Sequence, residues 1–197
     1  MKKLICILCI ALLSLSSITA QTTWKTPGYQ PAEVRKLMVL AKVTDMTARQ
    51  QLEDFSVKFL ADKGIPAIAS YANLKQNRFH TREDFLAVID SLGVDALLAY
   101  SVTGAEQVTE QKPTVSVGVG VGMYGGYVGA SAPIAGGAKQ VTMVDLKATF
   151  YTRAAHGEQW FATLSGKLDG PTDKLAYTVS KNTVKAMVKD GLFVTKK

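Results

Sequence analysis

Apolar positions along this chain follow more than one spacing, and each spacing predicts its own kind of element. Residues 37–43, Leu-Met-Val-Leu-Ala-Lys-Val, form a nearly continuous apolar run, the pattern of a strand covered on both faces. Asp45 or Thr47 can then cap a helix over residues 48–63, with Leu52, Phe55, Phe59 and Leu60 on one stripe and Gly64 as its stop. Residues 65–70 read as a short second strand, and Pro66 points to a sheet edge or a strand start. Thr81, with Asp84 three residues later, has the form of a capping box opening a second helix. Phe85, Leu86, Val88, Ile89 and Leu92 supply that helix's buried side before Gly93, and residues 95–102 follow as a third apolar strand. The order β-α-β-α-β implies a mainly parallel sheet with crossover helices.

After residue 140 the spacing becomes two. Val144, Leu146, Ala148 and Phe150 alternate within 141–152, and Trp160, Ala162, Leu164 and Leu168 alternate within 159–168. With a turn at 153–157 between them, these segments predict an antiparallel hairpin with one solvated face. Pro171 then opens a last helix over 173–190, closed by Gly191. Its apolar residues lie on two sides, Leu175, Val179 and Met187 against Tyr177, Val184 and Val188, which predicts burial on more than one side. The predicted class is α/β (α+β), a mixed sheet of about five strands in the order β-α-β-α-β, a Gly-rich insertion, then β-β-α.

The N-terminus changes the compartment. Met1-Lys2-Lys3, an apolar run from Leu4 to Leu15 and small residues up to Ala20 have the form of a signal peptide cleaved after Ala20. Both cysteines, Cys6 and Cys9, would leave with it, so the mature chain would hold no thiol. That removes disulfide scaffolds, zinc–thiolate sites and cysteine nucleophiles together. Neither cysteine sits at the cleavage position, so the expectation is a periplasmic or secreted protein that is not a lipoprotein. Cleavage also removes two of the 23 basic residues and none of the 16 acidic ones, so the formal charge falls from +7 to +5. Lys174, Lys181, Lys185, Lys189, Lys196 and Lys197 cluster late, on what reads as a solvated helix face and tail; no aromatic residues interleave with them, so no nucleic-acid partner is expected. The expected division is a signal peptide over 1–20, an irregular segment over 21–35 rich in turn residues (Pro27, Gly28, Pro31), and one α/β domain over 36–197 with its Gly-rich insertion at 114–138.

That insertion holds eight of the 16 glycines. Gly120-Val121-Gly122-Met123-Tyr124-Gly125 matches the dinucleotide-binding string G-x-G-x-x-G, yet Gly126, Gly129 and Pro133 oppose the helix the string requires. Alternation fits better: Val115, Val117, Val119, Val121 and Met123 would share one face of a strand, with Ser116 and three glycines opposite. One reading is a long hairpin loop, partly paired; the other is an interaction segment that allows close backbone approach to a membrane, another subunit or a partner sheet. The nine residues 115–123 match the length of a membrane-crossing β-strand, whereas 130–139, with Pro133 and a Gly pair, alternate poorly and count against a pore. The residues assigned to partner binding are Val115, Val117, Val119, Val121, Met123, Tyr124 and Tyr127.

No constellation forces a chemistry. His80 and His156 are the only histidines, each in a predicted loop or turn without ligand-spaced neighbours, so no metal or cofactor is expected. Gly129-Ala130-Ser131-Ala132-Pro133 starts like a nucleophile elbow but has Pro where the second Gly belongs. Glu53-Asp54 and Glu83-Asp84 are adjacent on helices and diverge by about 100°. Arg49 and Glu53, one turn apart, read as a surface ion pair. The chain is therefore read as a non-enzyme, with no catalytic residues named.

Several segments carry a resemblance: Thr47-Ala48-Arg49-Gln50-Gln51-Leu52-Glu53, Gly64-Ile65-Pro66-Ala67-Ile68-Ala69-Ser70-Tyr71, Gly93-Val94-Asp95-Ala96-Leu97-Leu98, and the strand pair around Glu158-Gln159-Trp160. Over about residues 36–190 the chain resembles small bacterial periplasmic and envelope α/β proteins. These are the N-terminal domain of TolB, the lipoprotein activators of peptidoglycan synthases and the periplasmic domain of the curli channel. The resemblance implies a non-enzymatic domain that binds envelope partners. The expected function is a secreted or periplasmic binding or assembly module of the cell envelope, contacting an envelope protein, a further copy of itself or the membrane surface through the Gly-rich hairpin and a sheet edge. A small-ligand or glycan-binding protein is the alternative, and an enzyme the third reading.

Overall fold

The run 37–43 that needs cover on both faces does become an inner strand. In a computed structural model, which describes residues 19–74, 81–111, 115–123, 126–134, 138–155, 157–168 and 171–194, that strand is β2 (Leu37–Lys42). It is preceded by β1 (Thr19–Lys25) and followed by α1 (Met46–Ala61), β3 (Ala67–Ala69), the single-turn α2 (Ser70–Asn73), α3 (Arg82–Ser91) and β4 (Ala96–Gln111). Then come β5 (Val115–Met123), β6 (Gly126–Ile134), β7 (Ala138–Thr152), β8 (Trp160–Leu168) and α4 (Thr172–Lys189). Six strands form one mixed sheet in the order β1-β8-β7-β4-β2-β3, and β5 pairs with β6 in a separate two-stranded ribbon. β2 runs parallel to both β3 and β4, while β4, β7, β8 and β1 are antiparallel in succession. The α/β class and the expected order hold, and β3, which follows Pro66, is an edge strand.

The sixth strand is a departure. Part of the segment 21–35, expected to be irregular, is β1, which pairs Thr22 to Lys25 with Thr163 to Trp160 of β8. Thr22, Thr23 and Trp24 of this strand are β-branched or aromatic, and Trp24 stacks on Phe161 with centroids 5.5 Å apart, a cross-strand aromatic pair of the kind that fixes register. In the sequence this short run stands next to the turn residues Pro27, Gly28 and Pro31, which dominate the segment. Residues beyond β1 are tied to the C-terminus: Ala32 bridges Phe193, and Tyr29 Oη donates to the Leu192 carbonyl at 2.9 Å.

Alternation along the strands sorts the core into two layers. Leu37, Val39, Leu98, Tyr100, Ala148, Phe150, Trp160, Ala162 and Leu164 face α1 and α4, with Leu60, Val179, Val184 and Met187 packed among them. Met38, on the other face of β2, packs with Leu74, Ile89 and Val94 under α3. α4 lies against both β8 and α1, which uses the two apolar sides noted in its sequence. Tyr177, at its rim, receives Phe55 and Phe59 edge-on at 5.4 and 5.2 Å. Lys174, Lys181, Lys185 and Lys189 line the exposed side of α4.

The local signals act as expected. Asp45 caps α1, accepting from Ala48 N at 2.7 Å, and Thr81 and Asp84 form a reciprocal capping box at the start of α3. Gly64 (φ +74°) and Gly93 (φ +66°) end their helices in the left-handed region that only glycine enters at little cost. One pair is not what the sequence implied. Glu53 is fully buried, and its pairing with Arg49 belongs to the interior, not to the surface. Glu53 Oε1 accepts from Ala41 N (3.0 Å), Arg49 Nε (3.0 Å) and Ser70 Oγ (2.8 Å), and Oε2 accepts from Tyr71 N (2.9 Å). One carboxylate thus ties α1 to the end of β2 and to the start of α2.

Candidate functional site

β4 and β7 outrun the sheet they belong to. On the β4 side, β2 stops at Lys42, opposite Ser101; on the β7 side, β8 stops at Leu168, opposite Thr142. Past those rows β4 and β7 pair only with each other, from Val108↔Val141 to Gln111↔Ala138. The polar stretch Ala105 to Glu110 of β4 is exposed throughout, and Lys167 of β8 pairs with Glu110 at the root of the projection. A register shift between Val102 and Gly104 falls just past the last row that β4 shares with β2, while β7 is still paired with β8.

The Gly-rich insertion continues this projection as a regular antiparallel ribbon. β5 and β6 pair from Val115↔Ile134 to Met123↔Gly126 without interruption. Three residues separate β4 from β5 and three separate β6 from β7, so both ladders keep one register. Nine residues per strand at about 3.3 Å each make the ribbon about 30 Å long.

Val115, Val117, Val119, Val121 and Met123 occupy alternate positions and so share one face of the ribbon. Their partners are Ile134, Ala132, Ala130, Val128 and Gly126, so every row of that face is apolar. On the opposite face the rows are Ser116↔Pro133, Gly118↔Ser131, Gly120↔Gly129 and Gly122↔Tyr127. Of the residues assigned to partner binding, five therefore lie on one face, Tyr127 lies on the other, and Tyr124 falls outside the described residues. The return strand departs from the expectation for 130–139, because its alternation starts at residue 126 and ends at residue 134. Read from Gly126, the sequence Gly-Tyr-Val-Gly-Ala-Ser-Ala-Pro-Ile carries its apolar residues at every second position.

This geometry removes the dinucleotide reading. Gly120 and Gly122 lie inside β5, and the element that follows is β6, not a helix whose N-terminus could face a phosphate. Ser131, the elbow candidate, sits mid-strand in β6. His80 and His156 fall outside the described residues. Among the described residues no group of three or more His, Cys, Asp or Glu stands where it could hold a metal ion, and no helix is long and apolar enough to cross a membrane. Residues 1–18, with most of the expected signal peptide, also lie outside the described residues.

Two cavities lie away from the arm, near the β7–β8 turn. One, of about 770 Å³, is lined by Thr26 to Gln30, Arg35, Asp95, Arg153 and Gln159 among others. The second, of about 550 Å³, has an apolar wall of Phe85, Leu86, Ile89, Leu97 and Tyr151 and shares Asp95, Thr152, Arg153 and Ala155 with the first. Two ion pairs lie on their walls: Arg153 Nη2 donates to Asp90 at 2.7 Å, and Arg35 Nε to Asp95 at 3.3 Å. Deeper in, Tyr100 Oη meets Ser56 Oγ at 2.9 Å between the sheet and the helices, and burial pushes its phenol up to about 12.

No protein-family model matches the chain, and no curated protein matches it. Solved structures that it resembles include two of the PelC dodecamer from Paraburkholderia phytofirmans. One of these, a single-residue variant of that protein, matches at 14% identity with a TM-score of 0.45, covering 83% of this chain and 96% of that one. The other, in a different crystal form, matches at 12% identity with a TM-score of 0.46, covering 84% and 95%. A PDZ domain protein from Parabacteroides distasonis matches at 8% identity with a TM-score of 0.35, covering 82% of this chain and 34% of that one. Likenesses this distant carry no functional argument.

Proposed function

We propose that the mature chain is a secreted or periplasmic, non-enzymatic binding or assembly module of the cell envelope, and that the β5–β6 ribbon is its contact element. The observation that carries this reading is the ladder that outruns the sheet at Val108↔Val141 and resumes in the same register as an apolar-faced ribbon. A two-stranded hairpin is marginal in water by itself, and exposed strand edges are normally shortened, charged or covered. β5 and β6 contain no charged residue, so neither edge is protected by charge. A ribbon built this way is expected to be covered by a partner in its working state. The signal-peptide form of residues 1–20 supports the compartment.

Deleting residues 115–138 tests the reading, because it takes only the terminal Gln111↔Ala138 row from the six-stranded sheet and leaves the Glu110↔Lys139 row and the rest in place. The expected result is an unchanged far-UV spectrum and melting transition, with loss of assembly by analytical ultracentrifugation or of partner capture from envelope extracts. Unchanged assembly and capture would reject the arm as the contact element and turn attention to the two cavities.

A further inference from the structure

We infer that the two cavities at the β7–β8 turn form one binding site for a small single-chain amphiphile. Its apolar body would lie beside α3, and its uncharged, hydroxyl-bearing head between the β7–β8 turn and residues 26–35. The site stands at the Ala96↔Thr152 end of the β4–β7 ladder, whereas the arm leaves from the Gln111↔Ala138 end. The inference is therefore independent of the assembly reading.

The apolar half follows from how α3 sits. Phe85, Leu86, Val88 and Ile89 give this helix a broad apolar side, yet among its described side chains only Ile89 is buried, and Leu86 stays 43% exposed. One part of that side is seated: Ile89 packs with Met38, Leu74 and Val94. Leu86 instead borders the 550 Å³ cavity, whose floor includes Leu97 of β4 and Tyr151 of β7. Those two residues are partners in one row of the ladder. They lie on the face away from α1 and α4, because the adjacent Leu98 and Phe150 point toward those helices. Protein interiors leave few voids larger than a water molecule, and this volume falls in the roughly 300–1,000 Å³ range of small-ligand sites. Aliphatic and aromatic walls suit an apolar body.

The polar half follows from charges that are already paired. Nη1 and Nη2 of Arg153 meet Oδ1 and Oδ2 of Asp90, which stands one turn after Leu86 on α3. Asp95 accepts from the backbone N–H groups of Arg35 (3.0 Å) and Lys36 (3.1 Å) and from Arg35 Nε (3.3 Å). The ionisable side chains lining the two cavities are Glu33, Asp90 and Asp95 against Arg35 and Arg153, an excess of one acid. An anionic head would meet that excess and compete with a carboxylate for either arginine. A cationic head would find both aspartates already accepting. Hydroxyl groups need neither pair broken: Gln30, Gln159 and Thr152 on the wall of the larger cavity supply amide and hydroxyl donors and acceptors.

The test titrates the mature chain with octyl glucoside below its micelle-forming concentration, read by calorimetry and by amide chemical shifts. Saturable binding is expected, with shifts concentrated at residues 86–90, 97 and 151–153. Glucose should give none, and octanoate should bind about tenfold more weakly or worse. Between hexyl and octyl glucoside, binding should tighten by about fourfold per methylene buried. Leu86→Glu puts a charge on the apolar wall and should weaken binding about tenfold or more. Ala87→Glu, exposed beside it and off the wall, should stay within about twofold of the parent. The variant lacking residues 115–138 should bind as the parent does. Shifts spread over the surface without saturation, or a flat chain-length dependence in the unaltered protein, would overturn the site whether or not Leu86→Glu folds. Loss of binding on deleting 115–138 would move the amphiphile to the arm and overturn it as well. Octanoate binding as tightly as octyl glucoside would overturn the uncharged head.

Discussion

Replacing Glu53 by Ala should be among the most damaging single changes in this domain. Four donors converge on its carboxylate, two of them backbone N–H groups, at Ala41 (buried) and Tyr71 (part-buried), and the residue itself has 0% exposure. Leaving a buried donor unmatched costs about 1–3 kcal/mol, and breaking a buried ion pair from one side costs about 3–5 kcal/mol. These overlap, since both describe the same orphaned groups, so the expected loss is about 3–5 kcal/mol. For a domain of this size that lowers the midpoint by roughly 10 °C, at about 2–4 °C per kcal/mol. Glu53→Gln keeps the shape and one acceptor but turns an NH₂ toward donors, so about 1.5–3 kcal/mol is expected. Removing both charges, Glu53→Leu with Arg49→Met, should recover part of the loss, because an apolar pair leaves no unpaired ion. Urea unfolding followed by circular dichroism measures all three. A Glu53→Ala variant within about 1 kcal/mol of the parent would refute the argument that this carboxylate pins α1 to β2 and α2.

Two further outcomes follow from the interior and the N-terminus. Tyr100 sits at about 12 because burial disfavours the phenolate, with the Ser56, Thr183 and Ser180 hydroxyls pulling weakly the other way. Its folded pKa thus lies above the unfolded value of about 10, so stability is intact below pH 10 and falls between pH 10 and 12, by up to about 2.7 kcal/mol. Urea titrations across that window should show the fall, and Tyr100→Phe should flatten it; an equal slope in the variant would contradict the assignment. Truncating the mature chain to begin at Thr26 removes β1 and the Trp24–Phe161 stack, leaving β8 as an open edge. A stability loss of roughly 1–3 kcal/mol and concentration-dependent aggregation are expected, read by thermal melts and light scattering; a monodisperse truncated chain of parental stability would show that β1 is not needed to cover that edge.

Most of the six-stranded sheet was legible because its signals are local and redundant. The 37–43 run, the Asp45 and Thr81 caps, Gly64 and Gly93, and the alternation of Leu146, Ala148 and Phe150 each act within a few residues. What escaped depends on distant partners. β1 offers only the short run Thr22 to Lys25 as a β-former, and its meaning comes from Phe161, far along the chain. Glu53 looked like half of a surface pair because its spacing to Arg49 is local, while the Ala41, Ser70 and Tyr71 groups that bury it are brought together only by packing. In the arm the first strand was readable from its valines. The second was hidden, because Gly, Ala, Ser and Pro give weak hydropathy contrast, and only the register shows Val128, Ala130, Ala132 and Ile134 opposite the valine row. β4 runs past the expected end at residue 102 because its outer half, Ala105 to Glu110, is exposed and mostly polar and gives no hydropathy contrast.

Residue-resolved hydrogen exchange along 115–134, in the assembled state, tests the central claim most directly. In a two-stranded antiparallel ribbon about one amide in two is bonded to the partner strand and the others point outward from the edges. If copies meet edge to edge through this arm, both sets should exchange slowly, and dilution to the monomer should release the outward set first. Protection confined to one amide in two at every concentration would show an arm that forms but joins nothing, and would contradict the account.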